Sequence, residues 1–187
     1  MTMSSTPNER RYSGEIERLR SPQRLAIMEV DRVVELALEG LEAKSALDVG
    51  TGSGLFAESF AAKGLSVAGV DLREDMLDAA RQHVPRGDFR LGKMEALPFG
   101  DAEFDLVFMG HVLHEADDLV EALREARRTA RVRVVVLEWP PIVQEFGPPM
   151  DHRLRYEQVE QAADQAGFLR VEQINLTQLV LYRLAKA

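Results

Sequence analysis

The sequence contains no cysteine among its 187 residues. Disulfide bonds, cysteine-ligated zinc and every mechanism that needs a thiolate nucleophile are therefore excluded. Long hydrophobic runs are also missing, because none approaches the roughly 20 apolar residues of a membrane-spanning helix. The N-terminus has no signal-peptide core. We therefore expect a soluble, cytoplasmic protein with no membrane partner.

Basic residues are fewer than acidic ones, with 23 Lys and Arg against 31 Asp and Glu and a net charge of −8. A nucleic-acid partner needs clustered positive charge, because binding to phosphates releases condensed counterions. The charge balance therefore argues against DNA or RNA as a partner. The length and the 45% hydrophobic content are typical of one globular domain with a substantial core.

Residues 46–57 predict a short buried strand, a glycine-rich turn and the first turn of a helix. Gly50, Gly52 and Gly54 occupy alternate positions in this stretch. Glycine lets the backbone adopt positive φ and lets a ligand approach without meeting a Cβ atom. The helix that follows points unpaired N–H groups toward such a ligand. The stretch therefore predicts a binding site for a nucleotide-like ligand.

A second apolar strand, at residues 66–71, ends in the carboxylate of Asp71. An acidic residue about 20 positions after the first glycine of a βαβ unit accepts hydrogen bonds from ribose hydroxyls. The dinucleotide pattern G-x-G-x-x-G would need a third glycine at position 55, which is Leu55. The two features favour a ribose-bearing ligand other than a dinucleotide. Alternatively, Asp71 caps the next helix.

The alternating glycines, preceded by the acid Asp48, resemble motif I of the class I S-adenosylmethionine-dependent methyltransferases. The resemblance continues in order along the chain, over roughly residues 44–140. Residues 70–77 are similar to motif II, residues 92–99 to the adenine-contacting loop, and residues 104–114 to the fourth strand and its loop.

This resemblance implies an α/β fold, a Rossmann-like three-layer sandwich around a mostly parallel seven-stranded sheet. The implied strand order is 3-2-1-4-5-7-6, with the last strand antiparallel. We predict a flexible N-terminal segment, residues 1–20, followed by a single class I methyltransferase domain, residues 21–187. Residues 12–20 either fold over the cofactor cleft as a lid or only cover the sheet edge.

Hydrophobic periodicity and capping residues predict the individual elements. A helix begins at Ser21 and Pro22 and runs to Gly40. The other predicted helices are residues 55–63, 74–83, 117–130 and 156–166. The predicted strands are residues 46–49, 66–71, 88–92, 103–109, 131–138, 171–174 and 178–184.

The resemblance implies S-adenosyl-L-methionine as cofactor and S-adenosyl-L-homocysteine as product. Asp48 is expected at the methionine end, whose ammonium needs an acceptor, Asp71 at the ribose and Leu72 at the adenine face. Met94 is alternatively part of the hydrophobic core. The predicted cofactor-binding residues are Asp48, Gly50, Thr51, Gly52, Gly54, Asp71, Leu72, Met76, Met94, Glu95, Gly110 and His111.

Two histidines, His111 and His114, follow the fourth strand and are the candidate catalytic residues. A histidine there can act as a base toward a phenol, amine or acid acceptor. Alternatively, both histidines are structural. No His-x-x-x-His or comparable ligand spacing is present, so we predict no metal site.

A proline-rich segment, residues 139–152, follows the fifth predicted strand. Because open α/β sheets bind ligands at the carboxyl ends of their strands, this segment is the candidate wall of the substrate pocket. Trp139, Phe146 and His152 are the predicted pocket residues. Alternatively, the segment only connects the strand to the next helix.

We therefore predict a transferase: an S-adenosylmethionine-dependent methyltransferase that acts on a small-molecule acceptor by direct in-line methyl transfer. The alternative is a non-catalytic S-adenosylmethionine- or S-adenosylhomocysteine-binding module, because the chain is short and lacks an inserted substrate-binding subdomain. A nicotinamide-dependent enzyme is a third hypothesis, against which the glycine spacing argues. Whether two copies form a homodimer is left open.

Overall fold

The computed structural model describes residues 11–12 and 14–186. The predicted flexible segment, residues 1–20, therefore falls partly on residues 1–10 and 13, which lie outside the described residues. Within its described part, Ile16–Arg20 forms a short 3₁₀ helix.

Seven strands form one sheet, in the order β3-β2-β1-β4-β5-β7-β6. The strands β1 to β4 pair in parallel with their neighbours and with β5, whereas β7 runs antiparallel to both β5 and β6. The predicted fold class is confirmed, with its strand order and its antiparallel last strand. The strands β1 to β7 are Ser45–Val49, Ser66–Asp71, Asp88–Leu91, Phe104–Gly110, Ala130–Glu138, Arg170–Asn175 and Val180–Ala185.

Helices cover both faces of the sheet. The α-helices, numbered α1 to α6, are Pro22–Met28, Val30–Leu38, Leu55–Ala62, Glu74–His83, Leu119–Thr129 and Tyr156–Gln165. Two further 3₁₀ helices are Leu113–Glu115 and Met150–His152. No helix in the described residues has the length and the apolar character needed to cross a membrane.

The hydrophobic core has two halves, one on each face of the sheet. In β5, Val134 and Val136 pack into the half that α5 and α6 cover, and Val135 and Leu137 pack into the half that α1 to α4 cover. Burial on both faces explains why such a strand reads as a nearly continuous apolar run.

The structure divides the predicted helix from Ser21 to Gly40 into α1 and α2. Glu29 lies between them with φ 44° and ψ 43°, a left-handed conformation that interrupts the helical hydrogen bonds. Its carboxylate accepts a hydrogen bond from the backbone N–H of Thr177 at 2.9 Å and pairs with Arg32 at 3.0 Å. The apolar periodicity continues across the break, so periodicity alone predicts one helix.

Candidate active site

A cavity of about 430 Å³ lies at the carboxyl ends of β1, β2 and β4. Open α/β sheets bind ligands at this edge, where the strand order reverses. The N-terminal segment and the loop after β5 form its outer walls. The cavity brings together these predicted residues: Gly50, Gly52, Asp71, Leu72, Met76, Met94, Glu95, Gly110, His111, His114 and Trp139. It does not include Asp48, Thr51, Gly54, Phe146 or His152.

The glycine turn after β1 is held against β2, because the N–H of Gly50 donates to the carbonyl oxygen of Val70 at 2.8 Å. Gly50 has φ +68°, and an added Cβ atom would lie 2.4 Å from Cγ2 of Val112. Gly52 has φ +51°, and its Cβ would lie 3.2 Å from Cδ1 of Leu19, across the cavity mouth. Position 50 therefore requires glycine, whereas at Gly52 a Cβ atom would meet only the end of the flexible Leu19 side chain.

Gly54 serves a different purpose from the other two glycines. Its φ is +75°, and an added Cβ atom would lie 2.9 Å from the Cα and Cβ atoms of Ala80 in α4. Real Cβ atoms do not approach a backbone atom this closely, so an alanine here would force the two helices apart. Gly54 thus permits the close packing of α3 on α4.

The carboxylate of Asp71 joins the glycine turn to the start of α4. Its Oδ2 accepts a hydrogen bond from the N–H of Gly52 at 2.9 Å, and its Oδ1 accepts one from the N–H of Arg73 at 3.0 Å. Burial raises the pKa of this carboxyl above its ordinary value. Because each carboxylate oxygen can accept more than one hydrogen bond, Asp71 can still accept donors from the cavity. The N-cap of α4 is Arg73, so Asp71 bonds the residue before the helix rather than capping it, and its role in binding stays a prediction.

Asp48 and Thr51 lie beneath the turn and do not line the cavity. Oδ2 of Asp48 accepts hydrogen bonds from Oγ1 of Thr51 at 2.8 Å and from the N–H of Ala57 at 3.2 Å. The side chain is 3% exposed, and burial raises its pKa to about 7. The contacts of Asp48 therefore fasten β1, the glycine turn and the first turn of α3 to one another.

The wall beside Asp71 is largely apolar. Met76 and Met94 are buried and line the cavity together with Leu72, which is 41% exposed. Glu95 lies at the rim, where its Oε1 accepts a hydrogen bond from the N–H of Asp117 at 2.8 Å. A flat apolar ring can pack against such a wall, with the carboxylate of Glu95 at its edge.

His114 is held by a buried carboxylate. Its Nδ1 lies 2.9 and 3.0 Å from the two carboxylate oxygens of Glu138, which also accepts the backbone N–H of His114 at 3.1 Å. An ionised carboxylate only accepts hydrogen bonds, so this geometry places a proton on Nδ1. The Nε2 atom lies 4.0 Å from Oε1 of Glu115, a carboxyl whose pKa burial raises to about 7.

The ring of His111 lies in the cavity wall, and both of its nitrogens are buried. Neither Nδ1 nor Nε2 has a hydrogen-bond partner in the described part of the chain. Burial, with Arg24 and His114 nearby, holds the pKa of His111 well below its ordinary value. The residue has φ 57°, and its ring centroid lies 5.2 Å from that of Trp139. A neutral imidazole in this position offers one donor and one acceptor to a ligand.

The proline-rich loop after β5 contributes Trp139, Gly147 and Pro148 to the cavity. Phe146 lines a second, adjoining cavity of about 370 Å³. His152 lines neither of these two cavities. The loop therefore forms a wall of the cavity at the strand ends. Of the three predicted pocket residues, only Trp139 lines that cavity.

A residue that the sequence does not single out, Arg153, holds this loop in shape. Its guanidinium is buried and donates hydrogen bonds to the carbonyl oxygens of Pro140, Ile142, Phe146 and Pro148 at 2.6 to 3.1 Å. Backbone carbonyls in a loop with several prolines lack partners within the loop, because proline has no N–H. An arginine directly after a proline-rich segment is therefore the sequence signal that could have identified this role.

The N-terminal segment supplies five lining residues that are not in the predicted set of site residues. They are Arg11, Tyr12, Arg18, Leu19 and Arg24. Their sequence signal is weak, because only Arg18 and Leu19 lie in the short 3₁₀ helix and the others are spread over the segment before it and over α1. Movement of this segment as a lid stays a prediction.

Contacts from Arg20, outside the cavity lining, hold the segment in place. Its guanidinium donates to Oγ of Ser53 at 3.2 Å and to the carbonyl oxygen of Ser53 at 2.9 Å, and it pairs with Glu58 at 2.6 Å. The segment is therefore bonded directly to the glycine turn. Among the described residues, no group of three or more His, Asp or Glu side chains could hold a metal ion.

The sheet order, together with a cavity at the ends of β1, β2 and β4, defines a Rossmann-like α/β protein with the class I methyltransferase topology. Residues 47–136 match a family described as a methyltransferase domain, Methyltransf_11. The match and the fold confirm the resemblance to the class I S-adenosylmethionine-dependent methyltransferases.

Curated relatives share this part of the chain. The chain is 37% identical to the malonyl-[acyl-carrier protein] O-methyltransferase of Serratia marcescens over 91 residues. The matched region covers 49% of this chain and 36% of that protein. It is 35% identical to the demethylmenaquinone methyltransferase of Thermotoga maritima over 120 residues. The matched region covers 62% of this chain and 52% of that protein. The chain thus spans about a third to a half of the length of these relatives.

A solved structure extends the likeness in fold to nearly the whole chain. The crystal structure of a SAM-dependent methyltransferase from Aquifex aeolicus superposes with a TM-score of 0.82, covering 98% of this chain and 100% of the other. The identity between the two sequences is 21%, so this likeness concerns the fold.

Proposed function

We propose that this protein is an S-adenosylmethionine-dependent methyltransferase that transfers a methyl group directly to a small-molecule acceptor. The observation that carries the proposal is the cavity in which the glycine turn after β1 and the carboxylate of Asp71 face the same space. Both features lie inside the region that matches the methyltransferase family. The two curated relatives are named for methylation of malonyl-[acyl-carrier protein] and of demethylmenaquinone, which supports a metabolic acceptor.

The residues of the cavity suit such a cofactor. Gly50 and Gly52 expose bare backbone to it, and Asp71 retains acceptor capacity for ribose hydroxyls. Met94 and Leu72 offer the apolar surface on which an adenine ring would pack. Asp48 would act from below the turn, since a cationic ammonium group in the cavity would favour its ionised form.

When bound, S-adenosylmethionine supplies a methyl group that the sulfonium charge has already activated. The chain therefore has to hold the acceptor in line with this methyl group and to exclude water. Leu19 and Trp139 both line the cavity, and their apolar side chains suit the second purpose.

Catalytic roles of the two histidines stay predictions. In His114, Nδ1 carries the proton that faces Glu138, and Nε2 lies on the side of Glu115. Nε2 is therefore the nitrogen that could accept a proton. The depressed pKa of His111 keeps its ring neutral at physiological pH, and a neutral ring can receive a hydrogen bond from the acceptor or donate one to it.

Two measurements test the proposed function. Calorimetric titration with S-adenosylmethionine and S-adenosylhomocysteine, with NAD as control, should show binding of both adenosyl compounds and none of NAD. Formation of S-adenosylhomocysteine over a panel of small acceptors should then show turnover. Failure of both adenosyl compounds to bind at millimolar concentration would contradict the proposal, and binding without turnover on any acceptor would favour the binding module.

The absence of a nucleic-acid partner, a cytoplasmic location and a homodimer stay predictions from the sequence. The proline-rich loop and the N-terminal segment are proposed to form the acceptor side of the site, with Trp139 and Phe146 in its wall.

A further inference from the structure

Two cavities meet at one wall of the site. The cavity at the strand ends, of about 430 Å³, and the adjoining cavity, of about 370 Å³, are both lined by Tyr12, Arg18, Arg24, Trp139 and Gly147. None of the glycine-turn residues lines the adjoining cavity. The shared wall therefore lies between the space proposed for the cofactor and a second space that opens away from it.

Two cations in this wall, Arg18 and Arg24, lack side-chain partners among the described residues. The side chains of Arg18 and Arg24 have no hydrogen bond, ion pair or ring contact in the part of the chain that the structure describes. By contrast, Arg11 and Arg73, which also line the first cavity, each pair with an aspartate, at 2.9 and 2.6 Å. The chain has a net charge of −8, yet these two guanidinium groups pair with none of its described acids. They are therefore free to donate hydrogen bonds to acceptor groups of a ligand.

The surroundings of Arg24 add a cost that a ligand can remove. Burial lowers the pKa of its guanidinium, and nearby Arg18 lowers it further, whereas the nearby phenol of Tyr12 raises it. A charged group withdrawn from water without a partner is unfavourable, so a bound anion would stabilise this wall.

A third polar side chain points to the same ligand. His111 lies in the wall of the first cavity, next to Trp139, and both of its ring nitrogens are buried and unpaired in the described residues. Buried polar groups are almost always hydrogen-bonded. An unpaired imidazole beside an unpaired guanidinium therefore indicates a polar ligand at this wall.

We propose that the methyl acceptor is a small carboxylic acid whose carboxylate binds Arg24 and Arg18, next to His111 and the ring of Trp139. This assignment rests on the proposed function and names the acceptor class of that same site. Arginine matches a carboxylate through two parallel N–H donors, which gives both charge and orientation.

A monoanion matches the wall better than a phosphate ester. Arg24 is the partly buried member of the pair, whereas Arg18 is exposed. One negative charge therefore balances the one cation that is withdrawn from water. A phosphate monoester would bring about two charges at neutral pH. The apolar faces of Trp139 and Phe146 leave room for the hydrocarbon part of the acid.

The test uses the full chain saturated with S-adenosylhomocysteine and three probes of similar shape: benzoate, benzamide and phenyl phosphate. Calorimetry measures their affinity, and the fluorescence of Trp139 gives a second readout, because it is the sole tryptophan of the chain. The variants are Arg24→Gln and Arg18→Gln. The control is Arg86→Gln, which removes the same charge from an exposed turn between α4 and β3.

We expect benzoate to bind at least about tenfold more tightly than benzamide or phenyl phosphate. Arg24→Gln should weaken benzoate binding by about 10- to 100-fold while S-adenosylhomocysteine affinity stays at the parental value, and Arg86→Gln should match the parent in both. If Arg24→Gln fails to fold, Arg18→Gln provides the independent test, because it removes the other guanidinium of the proposed carboxylate site and should also weaken benzoate binding.

Three results would overturn the proposal. Equal affinity for benzoate and benzamide would show that the wall does not select an anion, and tighter binding of phenyl phosphate would make it a phosphate site. An equal loss of S-adenosylhomocysteine and benzoate affinity in Arg24→Gln would assign the arginine to the cofactor. Failure of the proposed function is distinct, since S-adenosylhomocysteine would then not bind the parent before any probe is added.

Discussion

Replacing Asp71 by alanine removes the acceptor of two backbone N–H groups, those of Gly52 and Arg73, at 2.9 and 3.0 Å. Hydrogen bonds to charged acceptors contribute about 1.5–3 kcal/mol each, but burial opposes the charge of the carboxylate. We therefore expect the free energy of unfolding to fall by about 1–3 kcal/mol. Asp71→Asn keeps one acceptor oxygen and should lose less.

The same substitution should weaken cofactor binding. If ribose hydroxyls donate to this carboxylate, Asp71→Ala loses about 1.5–3 kcal/mol of binding free energy, which is roughly a 10- to 150-fold increase in Kd. Asp71→Asn should lie between the parent and the alanine variant. Asp78→Asn is the matched control, because it removes one charge from an exposed acid of the neighbouring helix α4.

The assay is calorimetric titration with S-adenosylhomocysteine, performed alongside urea unfolding of each variant. The unfolding curves show whether each variant is folded at the titration temperature. The loss of S-adenosylhomocysteine affinity is thereby separated from the loss of stability. An S-adenosylhomocysteine affinity for Asp71→Ala equal to that of Asp78→Asn would refute the placement of Asp71 at the ribose.

Three further changes follow from the contacts around the turn. The pKa of Asp48 is about 7 in the folded protein against an ordinary 3.8, so the folded state holds an extra proton between these values, and stability should fall as pH rises from about 4 to 7. Asp48→Asn should make this slope shallower in urea unfolding, with the remainder due to Glu115, whose pKa burial also raises to about 7. A slope equal to that of the parent would contradict the raised pKa of Asp48. Gly54→Ala should destabilise the fold by about 1–3 kcal/mol through its clash with α4, whereas Gly52→Ala should mainly weaken S-adenosylhomocysteine binding; equal effects on binding would count against this division. Glu138→Gln should lower stability by about 1–3 kcal/mol, because it leaves buried donors of His114 without a charged acceptor, and an unchanged urea midpoint would exclude that role.

The cofactor half of the site was predictable because its signals are local. Gly50, Gly52 and Asp71 each follow the end of a strand, and a parallel sheet brings the carboxyl ends of its strands to one edge. The resemblance supplied the strand order that makes β1, β2 and β4 neighbours. Asp48 shows the limit of a local signal, since one residue type at one position does not reveal whether its carboxylate faces the ligand or the turn beneath it.

The opposite wall could be predicted only in part, since His111, His114 and Trp139 were expected there but their partners and the N-terminal arginines were not. His114 meets Glu138 across 24 positions of sequence, and Arg24 reaches the wall beside His111 from a different element altogether. Neither pairing leaves a period or a spacing that a single sequence reveals. At the break between α1 and α2, Glu29 accepts a hydrogen bond from the N–H of Thr177, which lies 148 positions away in the sequence.

The two halves of the site are nevertheless mechanically joined. Arg20 bonds the N-terminal segment to Ser53 and Glu58, directly after the glycine turn. The same segment carries Arg18 and leads into α1 with Arg24, so the wall proposed for the acceptor rests on the turn proposed for the cofactor. Because a ligand that orders the turn also restricts its bonded neighbours, cofactor binding should reduce the entropy lost when the acceptor binds.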